Sequence, residues 1–231
     1  MKSIFRKRQL KGLSVHRASI CILLFIPFVL SMTGSLGGYS RTGKLKMGYK
    51  RTVSILNEIM SITEYERDKE DTTGTLIYMY MVDALRARYK GVNCASVQEK
   101  VCTPVMPYKT YNGRSDISEE IYSGGLKMAV GKVLLMFSSP KTPKDPVYVM
   151  ADINGANQIP NRLGYDTFVF QIVDGKLKHM GDPTTDYPVS SYSFYCSPLS
   201  TSQSDLLGVN CAYKMTTDRE YFKKLKWDHI K

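Results

Sequence analysis

The sequence predicts an α+β protein in which a long N-terminal helix packs on a small antiparallel sheet and a disulfide-closed loop ends the chain. Three observations carry this. Apolar residues recur at helical spacing along GYKRTVSILNEIMSITEYERDKE, residues 48–70. Short apolar runs separated by turn sequences occupy residues 127–180. Four of the five cysteines, Cys94, Cys102, Cys196 and Cys211, fall in two close pairs within turn-rich sequence. With 231 residues, 43% of them hydrophobic, the chain is large enough for one domain with a true core.

In chain order, residues 1–17 form a basic leader. Lys2, Arg6, Lys7, Arg8, Lys11 and Arg17 stand there without an acid, so the leader holds +6 of the net +11. A nucleic-acid partner argued from net charge loses about half its support for that reason, and none is expected. Next comes ASICILLFIPFVLSM, Ala18–Met32, uncharged and followed by Gly34, Gly37 and Gly38. A positive start, an apolar stretch and small residues make an export signal. The run is shorter than the roughly 20 residues of a membrane span unless Thr33–Leu36 join it. Segment 18–36 is therefore either cut near Thr33–Ser35 or kept as an anchor with its basic end in the cytoplasm. Ile20, Leu23, Leu24, Phe25, Val29 and Leu30 would supply the anchor surface.

The domain proper is residues 37–231. Its first helix is expected over about 39–70, with Val53, Leu56, Ile59 and Met60 as the apolar stripe and Ile55 and Ile62 widening it. A second helix, about 75–89, carries Leu76, Met79, Tyr80 and Leu85 as its core stripe and stops before Gly91. Residues 91–125 have no clean period. Strands follow at Met128–Phe137, Val147–Ile153, Thr167–Ile172 and, after an Asp174-Gly175 hairpin turn, at KLKHM. From 181 to 231 the chain is an irregular loop rich in Ser, Tyr and Pro, with a helical turn at Asp218–Leu225. The lysines at 223, 224, 226 and 231 read as a solvated tail.

Export agrees with disulfides. Three pairings of the four cysteines are open; the local one, Cys94–Cys102 with Cys196–Cys211, is the simplest. Thiolate zinc would need tighter Cys spacing or more than the three histidines at 16, 179 and 229. Phosphate-loop, dinucleotide, nucleophile-elbow and zinc-protease motifs are all missing from the sequence. Only His179 lies inside the folded region, so no enzyme is expected.

One stretch asks for an explanation: ADINGANQIPNRLGYDTF, 151–168. Asp152, Asn154, Asn157 and Asp166 could form an oxygen site for calcium. It is not an EF-hand, because the twelfth position from Asp152 is Leu163 rather than Glu. The other reading is structural: Asn and Asp take local backbone hydrogen bonds, Gly155 supplies positive φ and Pro160 fixes its own φ. The residues would then hold a long rigid connection between two strands.

Three passages, YKRTVSILNEIMSI, DINGANQIPNRLGYDTFVFQIVDGKLKHMG and YFKKLKW, together resemble the type IV pilin-like superfamily, which includes the pseudopilins of type II secretion. The resemblance implies a pilin-like fold and a filament subunit at a bacterial inner membrane or on an extracellular pilus. It implies other pilin-like subunits and the assembly machinery as partners, a prepilin peptidase cutting between Gly12 and Leu13, and Cys196–Cys211 bounding the C-terminal region. The N-terminus departs from the pattern: the fifth residue after that cut is Arg17, where the family has Glu. A secreted or anchored binding module is the second reading, with the Tyr187–Tyr195 segment as an adhesive surface.

Overall fold

The computed structural model describes residues 40–66, 73–94, 101–118, 125–190, 193–197 and 204–227. The leader, segment 18–36 with its six anchor residues, and the Gly12–Leu13 cut lie outside the described residues. The fold is α+β. Helix α1 (Arg41–Glu66) and helix α2 (Gly74–Arg88) precede a six-stranded antiparallel sheet: β1 (Val92–Asn93), β2 (Lys127–Val130), β3 (Val133–Phe137), β4 (Val147–Asp152), β5 (Thr167–Val173) and β6 (Lys176–His179). The strands lie side by side in sequence order. A 3₁₀ turn at Ser193–Cys196 and two short helices, α3 (Cys211–Thr217) and α4 (Tyr221–Lys224), follow.

Helix α1 forms because its apolar residues share one face. Leu45, Tyr49, Thr52, Ile55, Leu56, Ile59, Met60 and Thr63 are buried along it. The hydroxyl of Thr52 donates to the Gly48 carbonyl at 3.0 Å, so this polar group enters the interface already bonded. At Gly48 the helix touches the sheet end: a Cβ there would stand 2.4 Å from the Ile153 oxygen. Tyr49 is the anchor. Its hydroxyl donates to the Ala212 carbonyl at 2.9 Å. Its ring meets Phe168 edge-on at 4.9 Å, stacks on His179 at 6.0 Å and meets Phe222 at 6.4 Å. One side chain thus ties α1 to β5, β6, α3 and α4.

Helix α2 packs beside α1 with a different stripe from the expected one. Ile77, Met81, Val82, Ala84 and Leu85 are buried, Leu76 and Tyr80 are half-buried, and Met79 is 52% exposed. The sequence LIYMYMV is apolar all round, so periodicity does not choose a face there; docking does. Glu58 of α1 bonds Arg88 and Tyr89, joining the two helices at the surface.

The strand expected at Met128–Phe137 is corrected to a hairpin. Gly131 turns the chain at φ +63°, and β2 pairs back on β3 with Val130 opposite Val133. The run MAVGKVLLMF hides this turn because both arms are buried. The Asp174-Gly175 turn between β5 and β6 is as expected, with both residues at positive φ. Helix α3 had no sequence signal; only the α4 turn was anticipated.

Register divides the sheet into two faces. Leu135, Ala151 and Phe168 form one rung, and Phe137, Val149, Phe170 and His179 the next, all on the helix side. Leu134, Asp152 and Thr167 form a rung on the other side, with Met136, Met150 and Val169 beside it. Helices α1 and α2 pack on the first face and leave this second one to other segments. Tyr108, Ile117, Ala156, Leu163, Met180 and Val209 cover it from loops. Double-sided burial explains why VLLMF and TFVFQI read as continuous apolar runs instead of alternating ones. Both disulfides are the local ones, Cys94–Cys102 and Cys196–Cys211.

Leu56 is fully buried between helix and sheet. Leu56→Asp would place an unpaired charge there and is expected to abolish the cooperative unfolding transition in urea; a variant with the wild-type midpoint would contradict the docking of α1. Replacing Cys196 and Cys211 by Ala opens a fifteen-residue loop and should lower stability by about 3 kcal/mol in the same assay.

Candidate functional site

The chain leaves β4 at Asp152 and re-enters the sheet at Thr167, and residues 153–166 run over the face that α1 and α2 do not cover. Backbone groups in such a loop have no ladder partners and need others. Asp152 supplies some. Its Oδ1 accepts the backbone N–H of Asn154 at 3.2 Å and of Gly155 at 2.7 Å, which turns the chain sharply at once. Its Oδ2 accepts the Tyr108 hydroxyl at 2.8 Å. Gly155 sits at φ +94°, and a Cβ there would lie 2.6 Å from the Lys132 oxygen. The turn therefore demands glycine on two counts.

Asp166 serves the other end of the loop. Its Oδ2 accepts the Asn161 N–H at 3.1 Å and its Oδ1 the Arg162 N–H at 2.8 Å. Asn161 follows a cis Ile159–Pro160 bond and holds φ +48°, a conformation Asn tolerates better than most residues. Its Nδ2 donates to the carbonyls of Met106 at 2.8 Å and Ala156 at 3.1 Å. The 101–118 segment is stitched on through Lys109, whose N–H donates to the Asn161 carbonyl and whose own carbonyl accepts from Leu163, each at 2.9 Å.

Both carboxyl groups are fully buried. Among the described residues no lysine or arginine side chain bonds either of them. Burial pushes Asp152 up to about 6, against the pull of Tyr108 and the two backbone N–H groups. Burial first, and the neighbouring Asp152 charge second, push Asp166 well above the usual carboxylate range; the N–H groups of Arg162 and Asn161 and the Asn154 side chain oppose this. Two like charges confined together without a cation favour one proton between them.

The unpartnered buried side-chain atoms of this loop and the start of β5 are three oxygens, Asn154 Oδ1, Asn161 Oδ1 and Thr167 Oγ1, and one cationic nitrogen, Arg162 Nε. Of the four residues the sequence marked for a cation, three are brought together: Asp152, Asp166 and Asn154. Asn157 is half-buried on the loop and bonds neither carboxylate. Asn161, Thr167 and Tyr108 were missed. Asn161 could have been found from its place after Pro160. Tyr108 carried no signal, being 44 residues away from Asp152 in the chain. The polar groups gathered here are thus the two carboxylates, the three unpartnered oxygens and the unpartnered Arg162 Nε.

As a reaction centre the pair is poorly placed, since neither carboxylate has any exposed surface and general acid–base work needs contact with a substrate. A cavity of about 440 Å³ lies elsewhere, against the start of α2 and the Asp174 turn, and neither carboxylate lines it. His179 is packed between Tyr49 and Phe170, and burial lowers its pKa, which marks a neutral core histidine. Gly164 backs on the Cys196–Cys211 bridge: a Cβ there would meet the Cys211 sulfur at 2.6 Å. Tyr221 donates to the Gly164 carbonyl at 2.6 Å, so the loop, the disulfide and α4 form one block.

No family model matches this chain, and no curated protein or solved structure matches it.

The raised carboxyls have a signed consequence for stability. A protonated pair favours the folded state fully below the ordinary carboxyl pKa of about 3.9, and that contribution is lost as pH rises through about 6. With a chelator present, the melting temperature of the wild type relative to Asp152→Asn should fall between pH 4.5 and 7. Parallel pH curves for the two proteins would show that the carboxyls are not raised.

Proposed function

We propose that this chain is a non-enzymatic structural subunit resembling a pilin or pseudopilin, anchored through its apolar N-terminal segment and assembling with other pilin-like subunits into a pilus or secretion pseudopilus. The observation that carries the reading is the order of parts. An uncharged run, Ala18–Met32, stands in sequence before α1, a 26-residue helix whose buried face packs on α2, the antiparallel sheet and α4. Two further features support it. The Cys196–Cys211 bridge closes the C-terminal segment, as the resemblance implies. The loop with the most polar residues uses them to hold itself in place.

On this reading the mechanism is assembly. The anchor residues Ile20, Leu23, Leu24, Phe25, Val29 and Leu30 pack between copies. Head-to-tail contacts that do not close a ring propagate into a filament. Arg17 gives the N-terminus a cation where the family carries an acid, so the neighbour must supply a counter-charge or the segment must sit at a different depth.

The test is the mature N-terminus, read by mass spectrometry of protein recovered from its native membrane, together with cysteine crosslinking at positions in 18–32. A start at Leu13 and crosslinked ladders are expected. A start near Ser35 with a soluble monomer would replace this reading with a secreted binding module.

A further inference from the structure

We propose that the start of α1 and the segment after α4 form one basic, tryptophan-bearing surface that docks on the anionic headgroups of a lipid bilayer. The patch is Arg41, Lys44, Lys46, Lys226 and Trp227. Its choice of partner rests on the anchored reading of the chain, because the apolar run stands ahead of it in sequence.

The two ends of the domain meet through one side chain. Trp227 is the only tryptophan of the sequence, and it is half-buried. Its ring meets Tyr165 at 5.3 Å, nearly perpendicular, and the Arg41 guanidinium lies over it at 4.8 Å. The Tyr165 hydroxyl donates to the Lys226 carbonyl at 3.1 Å, which fixes the backbone beside the ring. Lys44 follows Arg41 one turn along α1, and Lys46 is close enough to α4 for its charge to act on the Glu220 carboxylate. Arg41, Lys44, Lys46 and Lys226 are all exposed.

These charges do not serve the helix. α1 has no acid in its first turn and meets none before Glu58, although Arg41, Lys44, Lys46, Lys50 and Arg51 precede that residue. Cations at a helix start oppose its dipole, so the placement works against the helix. The acids flanking α4 are already taken: Lys223 bonds Glu220 and Lys224 bonds Asp218, both at 2.7 Å. Arg41, Lys44, Lys46 and Lys226 form no ion pair among the described residues. Four cations are therefore left without a neutralising partner around one tryptophan.

Three readings can be compared. A merely solvated tail accounts for the lysines but not for a tryptophan held among them. A single-stranded nucleic acid wants an open ring for its bases to stack on, whereas Arg41 already lies over this ring and Tyr165 packs against it. A bilayer surface uses both features: Trp settles at headgroup level, while Lys and Arg keep their stems on apolar surface and extend their charges to phosphate. Met47, one turn beyond Lys44 and 48% exposed, adds apolar area beside the cations. The length of the chain also favours a bilayer. Eight residues separate Met32, the end of the uncharged run, from Arg41. Fully extended they reach at most about 30 Å, so a run inserted in a bilayer keeps the start of α1 within that distance of it. Each cation near an anionic surface should strengthen attachment about fivefold at low salt.

The experiment mixes the full chain with vesicles of phosphatidylcholine, or of phosphatidylcholine with phosphatidylglycerol, and reads the emission of Trp227 with a nitroxide on the lipid headgroups as quencher. No other tryptophan contributes. Flotation with phosphatidylcholine reads the apolar run alone, and quenching reads the patch. Quenching should be several-fold stronger with phosphatidylglycerol and should fall as salt is raised. Lys44→Gln, Lys46→Gln and Lys226→Gln together should bring it to the phosphatidylcholine level with the melting temperature unchanged. Flotation with equal quenching in the two lipids would overturn the inference and leave the anchor standing. No flotation with phosphatidylcholine, but salt-sensitive flotation and quenching with phosphatidylglycerol, would sink the anchored reading and keep the surface. Quenching untouched by the triple variant would overturn the inference by placing the contact elsewhere. Emission that answers a single-stranded oligonucleotide and not phosphatidylglycerol would overturn it in favour of nucleic acid.

Discussion

A sheet buried on both faces is the constraint from which the rest of this structure follows. Helices α1 and α2 cover one side. On the other, Tyr108, Ile117, Ala156, Leu163, Met180 and Val209 are carried onto the sheet from outside its strands. A loop pressed on a sheet takes its backbone polar groups out of water, and each unpaired group there costs about 1–3 kcal/mol. The motif from Asp152 to Asp166 is the answer to that cost. Its carboxylates accept four backbone N–H groups at the two ends of the loop, and Asn161 donates to two carbonyls in the middle.

The same solution creates an electrostatic problem. Carboxylates are good acceptors because they are charged, and charge is what burial penalises. Asp152 and Asp166 are placed together with only neutral donors, so each raises the other's affinity for a proton or an ion. Loop covering and charge compensation are therefore one question in this protein.

Tyr49 plays the matching part on the helix side. Its ring joins β5, β6 and α4, and its hydroxyl reaches α3. The C-terminal segment is fixed from both directions: Tyr165 donates to the Lys226 carbonyl, Trp227 packs on Tyr165, and Arg41 lies over the Trp227 ring. The start of α1 and the end of the described chain thus meet.

The long helix, the Asp174-Gly175 turn, three of the strands and both disulfides were legible in the sequence, because each rests on a local signal: a period, a turn pair or a short loop between cysteines. The stripe of α2 was misread, since an apolar run leaves its face to be chosen by its neighbours. The hairpin at Gly131 was read as one strand for a related reason, as burial on both sides removes the alternation that would mark its ends. Asp152, Asn154 and Asp166 were visible as residues that bend a chain or bind an ion. What they do together depends on Tyr108, Asn161 and Thr167, which reach them through the fold. By itself the sequence determined the long helix, the strands over Val147–Ile153, Thr167–Ile172 and KLKHM, the Asp174-Gly175 turn, and which residues are polar enough to need partners. Only the tertiary structure decided that those residues are buried face to face, because burial and charge proximity arise from contacts between segments distant in the chain.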